Sequence, residues 1–66
     1  MEKEEFLKLK AKFFKIFANV PLNLREEIIA VVENKSISWL VAYVEIEQNT
    51  QIARKILEQL KKMGVL

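Results

Sequence analysis

The sequence predicts an α+β fold: one small domain, residues 1–66, built as helix, β-hairpin, helix. Three observations carry that expectation. An amphipathic repeat opens the chain, two β-branched runs flank Asn34-Lys35 in its middle, and a second amphipathic repeat behind a capping threonine closes it. An all-α bundle of three or four helices is the alternative, because short apolar runs also suit buried helices.

The first helix is expected over about residues 2–18. Phe6, Leu9, Phe13, Ile16 and Phe17 recur at steps of three and four, which places them on one stripe of a helix. Leu7, Ala11, Phe14 and Ala18 make a second apolar line beside it, while Lys8, Lys12 and Lys15 take the opposite side. Glu2, Glu4 and Glu5 favour the positive end of the helix dipole. Pro21, with no amide hydrogen and a steric effect on Val20, ends the run.

Asn23 followed by Glu26 is a candidate start for a short helix. Beyond it, Ile28 to Val32 and Ile37 to Ile46 are rich in strand-favouring residues, and Asn34-Lys35 suits a tight turn, so a hairpin is expected over about 27–47. Pairing Glu33 with Ser36 sets Val32 against Ile37, Ala30 against Trp39 and Ile28 against Val41 on one face. The other face would carry Ile29, Val31, Leu40, Ala42, Val44 and Ile46. A ribbon apolar on both faces needs a helix on each, or a partner on one. Thr50 is the expected N-cap of a last helix over about 50–63, with Ile52, Ile56, Leu57, Leu60 and Met63 inward and Gly64 as terminator.

Composition excludes more than it assigns. A 66-residue domain has only a small core to stabilise it, and this one has no Cys and no His. Disulfides, thiolate metal sites, imidazole ligands and the usual general base are all missing, so neither an enzyme nor a cofactor is expected. Glu26-Glu27 and Glu45/Glu47 are the available carboxylate pairs, and both read as solvated charge, since a hard-cation site converges several oxygens on a tight loop. The only glycine, Gly64, rules out a phosphate-cradling loop.

With 52% hydrophobic residues the chain should fold. Its longest apolar run, Trp39 to Val44, is far short of the roughly 20 residues that span a bilayer, so a cytoplasmic protein is expected. Lys and Glu dominate the charges, which leans toward a thermophilic source. Residues 1–20 sum to +2, residues 21–49 to −3 and residues 50–66 to +3, a polarity that suits an oriented protein contact.

The segment Lys8 to Phe17 interleaves lysines with three of the four phenylalanines, more aromatic surface than one docking of a short helix requires. Phe14 sits about 100° round the helix from Phe13, toward the lysines, and is the ring expected at the surface. Two other readings compete. Trp39 and Tyr43 offer rings for stacking on nucleic-acid bases, with lysines for phosphates, although Arg is scarce and their spacing suits a core face. The N-terminal helix, basic and amphipathic, also has the character of a membrane-surface helix.

Lys12-Phe13-Phe14 resembles the end of the PCNA-interacting box, the motif by which replication proteins dock on the sliding clamp. Phe13 and Phe14 match its aromatic pair, whereas Lys10 stands at its aliphatic position and Leu7 at its glutamine position. A truncated box on a short, Cys-free, Lys/Glu-rich chain is similar to the small clamp-inhibiting proteins of Thermococcales archaea. The resemblance implies a non-enzymatic binder that occupies the clamp's partner pocket through Lys12, Phe13 and Phe14, competes with polymerase and blocks clamp-dependent replication. No small-molecule substrate, nucleic acid or membrane is implied as a partner.

Overall fold

A computed structural model describes residues 2–66. The order is α1 (Lys3–Ala18), a 3-10 turn (Leu22–Leu24), β1 (Ile28–Val32), β2 (Lys35–Ser38), α2 (Trp39–Glu47) and α3 (Gln51–Lys62). The α+β class, with a hairpin between helices, is as expected; the extent of the hairpin is not.

Helix α1 buries Phe6, Leu9, Phe13 and Phe17, the predicted stripe. Its last turn is closed by amide bonds from Asn19 and Val20 to the carbonyls of Ile16 and Phe17, each 3.0 Å, before Pro21 forces the chain away. The segment after Pro21 makes a single 3-10 turn, with Pro21 and not Asn23 at its start and no side-chain cap.

The hairpin spans residues 28–38, not 27–47. Its loop is Glu33-Asn34, both at positive φ (52° and 65°), as a two-residue type I′ connection demands. Val32 pairs with Lys35, Val31 with Ser36, Ala30 with Ile37 and Ile28 with Ser38, with an irregularity between Ile28 and Ala30. The expected pairing of Glu33 with Ser36 is therefore slipped by two, which leaves the sides of the ribbon intact because side chains alternate with period two. Ala30, Val32 and Ile37 do face the core.

Residues 39–47 are helical for a local and a topological reason. The Ser38 hydroxyl accepts the Val41 amide at 3.1 Å, an N-cap that turns the chain from strand to helix without a loop. A longer β2 would also have no partner: before Ile28 the chain turns through Arg25 and Glu27, whose carbonyls accept the Leu40 and Trp39 amides at 3.0 and 3.3 Å. A helix satisfies its backbone internally and buries Ala42 and Ile46. Glu45 and Glu47 accordingly do not share a strand face.

Helix α2 ends on Asn49 at φ 55°, whose amide bonds to Ile46 O while Thr50 N reaches Glu45 O. This is a Schellman closure with Asn in the left-handed position. Thr50 then caps α3, its hydroxyl accepting the Ala53 amide at 3.2 Å. Ala53, Ile56, Leu57 and Leu60 are buried. Gly64, at φ 83°, closes α3 as predicted, with Gly64 N on Lys61 O and Val65 N on Leu60 O. Met63, expected inside, is exposed, because it lies at the C-cap where the helix has run past the core. No helix among the described residues is long and apolar enough to cross a membrane.

Candidate protein-binding surface

The three residues of the Lys-Phe-Phe segment project in different directions. Phe13 is 0% exposed; its ring lies 6.0 Å from Phe17 and 5.9 Å from Trp39, at the centre of the aromatic part of the core. Its expected role as a partner contact is therefore corrected: a side chain on the helix midline, where the stripe meets α2 and α3, has nowhere to go but inward. Lys12 is exposed on the side of α1 that carries Glu5 and Lys8, beside Lys61 of α3. Two residues further on, about 200° round the helix, Phe14 faces α2.

Phe14 is partly buried. One edge is held by Phe13 at 6.0 Å and another by Tyr43 at 5.5 Å, both in edge-to-face contact. The Lys10 ammonium is 5.9 Å from its centroid and donates to Asn49 Oδ1 at 2.6 Å, tying α1 to the turn after α2. Around the ring on α1 lie Ala11, Ala18 and Leu7, all exposed, Leu7 at 52%. The second apolar line read from the sequence is thus a surface flank, with Phe14 as its largest member.

Tyr43 continues this flank onto α2. Its ring stacks on Phe17 at 4.6 Å, and the Arg25 guanidinium covers Phe17 at 4.4 Å while Arg25 Nε donates to Val20 O. With Phe14 and Phe17 against Tyr43, and Phe13 against Trp39, the two rings considered for base stacking are spent largely on the protein itself.

Sequence reading missed the outer face of α2 as a surface. Leu40, Val41 and Val44 are 46%, 44% and 43% exposed, although seven of the nine residues of this helix are apolar. The missed signal was Ser38 followed by a run apolar at every position, which suits a capped helix greasy all round as well as it suits a strand.

Two lysine–glutamate pairs lie outside this region. Lys61 Nζ meets Glu5 Oε1 at 2.7 Å and Lys55 pairs with Glu33. The hydrogen bond from each lysine, followed by its charge, lowers the Glu5 and Glu33 carboxyls below the ordinary glutamate range. Among the described residues no three carboxylates converge as a metal site. Glu26 and Glu27 are exposed, Glu47 is exposed on α2, and Glu45 accepts the Thr50 hydroxyl at 3.1 Å. Comparison of the chain with protein-family models, with curated proteins and with solved structures found no match.

Proposed function

We propose that this protein is a non-enzymatic inhibitor that docks on the PCNA sliding clamp and blocks clamp-dependent DNA replication. The observation that carries the reading is the Lys12-Phe13-Phe14 segment with its second ring only partly buried, in a chain without His or Cys. Phe14 is the anchor, flanked by Leu7 and Tyr43. Phe13 is a support beneath it, not a second plug. A single aromatic anchor at the centre of a patch contributes about 2 kcal/mol or more to a small interface. Lys15, exposed and next to Phe14 in the chain, acts as a rim charge that speeds encounter with an acidic partner, whereas Lys12 lies on the far side of the helix and contributes only to the wider positive field of α1.

The alternative, a basic nucleic-acid binder, is less favoured because Lys55 and Lys61 are paired to carboxylates and the rings of Trp39 and Tyr43 are engaged internally.

Titration against the clamp, followed by size exclusion of the clamp ring, tests the proposal. A complex at micromolar concentration that Phe14→Ala weakens about tenfold or more is the expected result. Absence of a complex removes the proposal, and binding to DNA that falls steeply with salt and survives Phe14→Ala replaces it.

A further inference from the structure

Helix α2 is apolar on both its sides, yet only one is covered. Ala42 and Ile46 are fully buried, whereas Leu40 and Val44, one above the other at i and i+4, form an exposed ridge with Val41 beside them. A helix apolar all round in a soluble domain normally has neighbours on every side. Here the outer neighbour is missing, and the uncommitted charges at its two ends are acidic.

At the N-terminal end of α2 the chain segment holding Glu26 and Glu27 is bound to the helix through Trp39 N on Glu27 O and Leu40 N on Arg25 O. At the other end stands Glu47, exposed. From Ser36 to Ala53 there is no basic residue at all. The cations that approach are committed: Arg25 lies flat on Phe17, and Lys10 is hydrogen-bonded to Asn49 at the α1 edge. The ridge is thus a strip of aliphatic side chains with Glu47 on the same face one turn beyond Val44 and the exposed acidic pair Glu26-Glu27 in the segment tied to its N-terminal end.

We propose that this face is a second docking surface, distinct from the lysine-rimmed Phe14 flank, and that its occupant is a cationic amphipathic helix of a partner protein. Apolar side chains of the partner would pack on Leu40, Val41 and Val44 as in helix-on-helix recognition, with Lys or Arg at its flanks meeting Glu26, Glu27 and Glu47. A second copy paired about a two-fold axis would set these same carboxylates against each other, and an anionic membrane would meet them with like charge. The proposal does not depend on the clamp reading, since its charge preference is the reverse.

The test uses the whole protein, ¹⁵N-labelled, and two synthetic helical peptides of about 18 residues, or five turns. They share the same leucine stripe and differ only in flanking lysines or flanking glutamates. The lysine peptide is expected to shift the Leu40, Val41, Val44 and Glu47 amides, more weakly as salt is raised, while the glutamate peptide leaves them unmoved. The exposed-site double variant Glu27→Lys/Glu47→Lys should raise the Kd for the lysine peptide about tenfold or more, corresponding to about 1.4 kcal/mol. No shift at millimolar peptide, equal shifts from both peptides, shifts confined to α1, or concentration-dependent shifts at Leu40 and Val44 without peptide would each overturn the assignment.

Discussion

Phe14 and Tyr43 meet edge to face across the seam between α1 and α2, ring centroids 5.5 Å apart and planes inclined at 65°. The contact holds Phe14 in one orientation while leaving part of its ring open. Neighbouring rings in the same sequence segment thereby acquire different duties: Phe13 holds the core together and Phe14 caps its edge.

That division predicts unequal costs. Phe13→Ala, at a fully buried site, should lose about 3–5 kcal/mol, most of the stability that a domain of this size has. Phe14→Ala should lose about 1–2 kcal/mol, the edge-to-face contacts and a partial burial. Chemical denaturation followed by the fluorescence of Trp39, which packs near Phe13, checks both. Equal losses would mean that Phe14 belongs to the core.

The strand-to-helix switch at Ser38 rests on one hydroxyl. Ser38→Ala removes the acceptor for Val41 N and should cost about 1 kcal/mol. Thr50→Ala, which removes the cap of α3, should cost a similar amount. Guanidinium unfolding midpoints compared with a Ser36→Ala control, at an exposed strand position, decide whether the caps matter.

Loop Glu33-Asn34 needs two residues in the left-handed region. Asn34→Gly should stabilise the hairpin by about 0.5 kcal/mol, while Asn34→Val should destabilise it by about 1 kcal/mol or more, because a β-branched side chain clashes with the backbone at positive φ. Thermal unfolding of the two variants should move in opposite directions.

Acid should weaken the ties between elements. Glu5 and Glu33 have carboxyls lowered by their lysine partners, so each contributes stability above the unfolded glutamate value of about 4.3, and that contribution disappears as pH falls through the lower folded values. The stability difference between the parent protein and Glu5→Gln/Glu33→Gln should be positive at neutral pH, shrink with salt, and vanish in acid. Both pairs are half exposed, so the effect is small. A difference that persists in strong acid would rule out the ion pairs as its source.

Much of this fold is legible in local patterns: the buried stripe of α1, the stop at Pro21, the Thr50 cap with the inward face of α3, and Gly64 as terminator. Those features depend on neighbours within a turn or two of chain, where spacing and backbone chemistry act directly. Residues 39–47 depended on something else. A run apolar at every position satisfies strand and helix alike, and the choice fell to helix because β1 begins only at Ile28, the partner of Ser38, and offers nothing to pair with beyond it, while a helix buries Ala42 and Ile46 in the core. The same holds for the Lys12-Phe13-Phe14 segment, where the order of residues placed an aromatic pair together but only the packing of Phe17, Trp39 and Tyr43 around it determined that one ring is enclosed and the other is only partly covered.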